Sequence, residues 1–134
     1  MMLRMLDTDT VSYLINRKSP GVEALFAALV PATICVSAIT RAELQYGLKR
    51  LAPEHRLHLA VRQFLKLIRT LPWEADAADW YAGIRHQLTA SGQPIGELDM
   101  MIAAHSLSAG ALLVTNNRSH YERISAPLML ENWS

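Results

Sequence analysis

The stretch Met5–Thr10, MLDTDT, constrains this chain more than any other. It closes a short apolar opening run with an acid, and the residues just behind that acid are helix-capping types. A buried strand that stops at Asp7 and leads at once into a helix reads as the start of a β-α-β unit. Open α/β sheets hold their ligands outside the carboxyl ends of their strands, so the Asp7 carboxylate is expected to point into that crevice. Thr8, Asp9 or Thr10 would then cap a helix starting near Val11, which makes one acid chemical and the other structural.

The same alternation runs through the rest of the chain. Residues 11–16 read as a short helix, 18–21 as a turn, and 22–29 as a helix stopped by Pro31. Residues 33–36 form a second apolar strand, after which Ser37 opens a helix carrying Leu44, Tyr46, Leu48 and Leu51. A helical arm of about residues 54–68 has Val61, Phe64 and Ile68 on its apolar stripe and basic residues opposite. Residues 69–73 suggest a short strand, and Asp76 suggests the N-cap of a helix through Ile84 and Leu88 that Gly92 ends. Glu97 and Asp99 open a helix running to about Ser108 that is apolar on nearly all sides, which predicts burial. Residues 111–115 make another apolar strand with Asn116 and Asn117 at its end, and residues 128–130 suggest a last edge strand. Strands alternating with helices predict an α/β fold: one domain over residues 1–134, with a parallel central sheet of about five strands flanked by helices on both faces.

With 134 residues, 51% of them apolar, the chain supports one core of ordinary size. No apolar run approaches a membrane span and the opening run is too short for a signal-peptide core, so a soluble, cytoplasmic protein is expected. The lone cysteine, Cys35, lies within ATICVS, which excludes an intrachain disulfide and predicts a small buried side chain. Net charge is only +1, but it is unevenly spread. Arg41, Lys49, Arg50, Arg62 and Lys66 cluster in the middle of the chain, while acids mark the predicted strand ends. A basic face suits a polyanion and an acidic floor suits a divalent cation.

Asp7, Glu43 and Asp99 occupy the positions where an acid most needs a reason. Each also has a structural role open to it. Asp7 can form a turn, Glu43 can close a capping box with Thr40, and Asp99 can face the positive end of its helix. Three carboxylates converging on one crevice would raise one another's pKa unless a cation lay between them, and Mg²⁺ or Mn²⁺ is the usual resident. His55, His58, His86 and His105 form no zinc-binding pair, and His105 reads as a core histidine, whereas His120 falls just beyond the fourth predicted strand, beside the crevice. Neither Ser37 nor Thr115 has the surroundings of a hydroxyl nucleophile.

Taken together, MLDTDT, SAITRAELQYG around Glu43, GELDMMIAAHSLSAGALLVTNN from Gly96 to Asn117, and the HYERI and ENW that follow resemble a PIN-domain ribonuclease of the VapC toxin type. The resemblance covers essentially the whole chain. It implies a small Mg²⁺- or Mn²⁺-dependent endoribonuclease, normally a homodimer, with RNA such as tRNA as substrate and a VapB-type antitoxin as partner. It places the metal-binding acids on Asp7, Glu43 and Asp99. In such a site Thr115 and Asn117 would position water or phosphate, and Arg41, Lys49, Arg50 and Arg62 would hold the RNA backbone. Many members carry a fourth acid after the fourth strand, where this chain has Asn117 and, nearby, His120. Many relatives also have Asn where this chain has Asp9. Two other readings fit part of the pattern. DTDTV matches the motif of haloacid-dehalogenase-type phosphatases, in which Asp7 would be the nucleophile, and a PIN domain can bind RNA or protein without cutting.

Overall fold

The computed structural model describes residues 2–133. In chain order it contains β1 (Arg4–Leu6), α1 (Thr8–Ile15), α2 (Pro20–Ala27), a 3₁₀ turn over Pro31–Thr33, β2 (Ile34–Ser37), α3 (Ala38–Lys49) and α4 (Leu57–Leu67). These are followed by β3 (Arg69–Leu71), α5 (Ala75–Ala90), α6 (Glu97–Ala109), β4 (Leu112–Val114), α7 (Arg118–Tyr121) and β5 (Leu130–Glu131). The five strands form one sheet in the order β3-β2-β1-β4-β5, and every pairing is parallel. The expected parallel sheet of five strands is the one observed.

The apolar strand runs follow from burial on both faces, because side chains alternate across a sheet and here each face has its own helical cover. Met5, Cys35 and Leu113 point into a core shared with α5 and α6, including Ile84, Leu88 and Ile102. Leu6, Val36 and Val114 point the other way, into a core with Val11, Val22, Leu44, Val61 and Phe64. Cys35 is fully buried, and burial pushes its thiol pKa up to about 11. Helix α4 is no projecting arm: its stripe of Val61 and Phe64 packs into the second core, as does Ile68. Among the described residues no helix is long and apolar enough to cross a membrane.

Several boundaries differ from expectation. Helix α1 begins at Thr8 rather than near Val11, since Asp7 itself is the N-cap and its Oδ1 accepts from the Thr10 N–H at 2.9 Å. Ser19 caps α2, which therefore starts two residues early. Helix α5 starts at Ala75 after Glu74, so Asp76 lies inside the first turn and caps nothing. The capping box proposed for Thr40 and Glu43 does not form. Ser37, at the end of β2, caps α3 by accepting from the Ile39 N–H at 3.0 Å, which places Thr40 and Glu43 within the helix. The last strand is Leu130–Glu131, one to two residues later than expected.

Candidate active site

In a parallel sheet of this order the crevice opens where connections leave in opposite directions, here between β1 and β4. The chain brings Asp7 and Thr115 to that point as the first residues beyond those two strands. The Asp7 N–H donates to the Val114 carbonyl at 3.0 Å, so the acid is anchored beside the end of β4. Its side chain is 4% exposed. Burial raises its carboxyl pKa above the ordinary value, against the opposing influence of Thr115 and Thr10, and the charge of Asp9 adds to the rise.

Glu43 arrives from α3 and is half-buried. With the capping box gone, its carboxylate takes a different partner: the Thr8 hydroxyl donates to Oε1 at 2.7 Å and also lies 3.2 Å from the Thr40 hydroxyl. The second residue of the DTDT motif thus orients the glutamate. Burial raises the Glu43 pKa, Thr8 opposes the rise, and Asp99 and Asp9 increase it. Asp99, in the first turn of α6, is raised by burial and by Asp9, and lowered by the Tyr121 hydroxyl and by His120. Asp9 is exposed at the mouth, and its charge reaches all three of these carboxylates.

The loop after β4 completes the floor. The Asn117 N–H donates to Thr115 Oγ1 at 2.9 Å, and the Asn117 side-chain amide donates to His120 Nδ1 at 2.7 Å. Asn117 and His120 therefore form a pair at the position where the resemblance implies a fourth acid. Tyr121 was assigned no role from the sequence, yet it is buried among these acids. No local pattern marks it, because its neighbours come from β1 and α6.

The basic residues are not part of this floor. Arg41, Gln45 and Leu48 lie along one face of α3 and meet His58, Arg62 and Lys66 across a groove of about 300 Å³ against α4. Lys49 lines the adjoining hollow, and the Arg50 guanidinium stands 6.0 Å from the centre of the Tyr46 ring. None of these cations is among the groups that shift Asp7, Glu43 or Asp99. His105 is a buried core residue whose Nδ1 lies 2.6 Å from Ser37 Oγ, and burial lowers its pKa.

The carboxylates around the crevice supply oxygen donors, which suit a hard cation. Among the described residues, no three Asp, Glu, His or Cys side chains are drawn in tightly enough to enclose an ion. That arrangement is compatible with Mg²⁺, which keeps most of its water and is commonly held by one or two carboxylates together with substrate phosphates. Carboxylates raised chiefly by burial and further by the charge of Asp9, with no lysine or arginine to offset them, make up a donor set that a divalent cation would relieve.

Comparison with known proteins gives a consistent result. Residues 4–126 match the PIN domain family. A tRNA(fMet)-specific endonuclease VapC from Salmonella typhimurium is 38% identical over 134 residues, covering 99% of each chain. Ribonuclease VapC2 from Haemophilus influenzae is 37% identical over 133 residues, again covering 99% of each. In the crystal structure of VapBC2 from Rickettsia felis bound to a DNA fragment from their promoter, one chain superposes with a TM-score of 0.91 at 33% identity. That match covers 99% of this chain and all of the other.

Proposed function

The chain belongs to the PIN-domain family and is a VapC-type ribonuclease, and on that premise we propose that it is an Mg²⁺- or Mn²⁺-dependent endoribonuclease in which Asp7, Glu43 and Asp99 hold the cation. The observation that carries this reading is the convergence of those three carboxylates and Asp9 at the β1–β4 crevice, with no lysine or arginine offsetting them. A bound divalent cation supplies a water of lowered pKa and positive charge facing the phosphate oxygens. The chain's own residues do the rest. Thr8 fixes the Glu43 carboxylate, the cap bond to Thr10 fixes Asp7, and Thr115 and Asn117 hold water or a phosphate oxygen. His120, with Nδ1 accepting from Asn117, is left with Nε2 for a second contact.

The backbone of the RNA is held outside this floor by Arg41, Lys49, Arg50 and Arg62, all exposed. Relatives named as tRNA(fMet)-specific make tRNA the first substrate class to try. A VapB-type antitoxin is the expected partner, as in the VapBC complexes of similar fold. A homodimer would cover some of the apolar side chains left exposed on α2, α3 and α4, which include Leu25, Tyr46 and Leu59. The PIN match over residues 4–126 argues against Asp7 as a phosphatase nucleophile. A PIN domain that binds without cutting is favoured by one observation, the open spacing of the acids.

Cleavage decides between them. Purified, antitoxin-free protein incubated with tRNA should give discrete fragments in Mn²⁺ or Mg²⁺ and none in chelator, and Asp99→Asn should give none in either. A folded protein that leaves tRNA and total RNA intact with every metal would refute the ribonuclease reading.

A further inference from the structure

Among the described residues, the only buried side-chain polar atoms without a hydrogen-bond partner belong to Asn116 and Tyr121. Both lie in the segment that follows β4, at the carboxyl end of the sheet. Buried polar groups are almost always satisfied, so two orphans in six residues need a reason. For Tyr121 the surroundings supply one. Its ring is 1% exposed and packs in the core with Met5, Leu113 and Ile124, a place a phenylalanine would fill equally well. What the hydroxyl adds is a polar end among Asp7, Asp99 and Asp9.

We propose that Tyr121 is a positioning residue of the acidic crevice, whose hydroxyl donates to the Asp99 carboxylate and holds it for a divalent cation. In this structure the hydroxyl stops short of a formed hydrogen bond, although it is near enough to Asp99 to favour the carboxyl's charged form. A phenol keeps its proton at neutral pH and can donate it to a carboxylate. Ligating carboxylates that are themselves hydrogen-bonded keep their orientation, and this is the service the tyrosine performs. The inference rests on the metal-dependent reading given under Proposed function.

The test is Tyr121→Phe, which keeps the ring and removes one oxygen. Mn²⁺ is titrated into the wild type and the variant, with free Mn²⁺ followed by electron paramagnetic resonance, and thermal unfolding is recorded in chelator. The variant should bind Mn²⁺ about tenfold to a hundredfold more weakly. Its metal-free midpoint should equal or exceed that of the wild type, because an unpaired buried hydroxyl has been removed. Equal Mn²⁺ affinity in the two proteins would overturn the inference while leaving the metal reading intact. A lowered midpoint in chelator would also overturn it, since the hydroxyl would then be structural. Wild-type protein that takes up no Mn²⁺ would instead sink the metal-dependent reading itself.

Discussion

Asp7 carries two jobs on one carboxylate, and they can be separated. Oδ1 caps α1 through the Thr10 N–H, while the charge stands buried beside other acids. The pKa of Asp7 in the fold is raised above 3.8, chiefly by burial. An acid whose pKa is raised on folding binds protons more tightly when folded. The stability it contributes is therefore fully present below the unfolded pKa and is lost as pH rises through the folded one. That loss amounts to about 1.4 kcal/mol for every tenfold difference in proton affinity between the two states. Asp7→Asn keeps an oxygen for the cap and removes the charge, so in chelator at pH 7 it should be at least as stable as the wild type. Asp7→Ala removes charge and cap together and should fall below the Asn variant by about 1 kcal/mol, or about 4 °C in the midpoint for a chain of this size. Urea unfolding followed by circular dichroism, with both variants at pH 7 and pH 4, measures these differences. An Asn variant less stable than the wild type at pH 7 would refute the account of the buried charge, and identical Asn and Ala variants would refute the cap.

Three other outcomes are expected. Thr8→Val leaves Glu43 without its 2.7 Å donor and should lower RNA cleavage about tenfold to a hundredfold; Thr8→Ser should restore most of it. Ser37→Ala removes the α3 cap and leaves buried His105 Nδ1 unpaired, lowering stability by about 1–3 kcal/mol in urea without abolishing cleavage by the folded fraction. Replacing Arg41 and Arg62 by Glu should weaken RNA binding and flatten its salt dependence by about 1.4 logarithmic units per tenfold salt for single-stranded RNA, with Mn²⁺ uptake unchanged. Unaltered salt dependence would place the RNA backbone elsewhere.

How far the sequence could be read is clearest at the helix starts. In D-T-D-T four successive residues are able to cap, and the choice among them rests on where strand pairing ends. The Asp7 N–H is bonded to Val114, and the chain turns helical at the next residue. The T-R-A-E box failed for the same reason, because Ser37 at the end of β2 was already in place to cap and left Glu43 free to face α1. Asp76 was a plausible cap by residue type, but the helix had begun by Ala75.

The pattern of apolar runs and helical stripes was enough to determine the α/β class and the parallel sheet, because periodicity and burial are local properties of the chain. Which groups then touch was decided only by the tertiary structure. Helix α6 is buried on nearly every side and so carries no periodic signal for the direction of Asp99. The partner of Glu43 lies 35 residues away in sequence. The tyrosine that faces the acids belongs to a four-residue helix whose orientation is set by the core beneath it. Contacts of this kind depend on how strands and helices are stacked, and no stretch of the sequence encodes that stacking by itself.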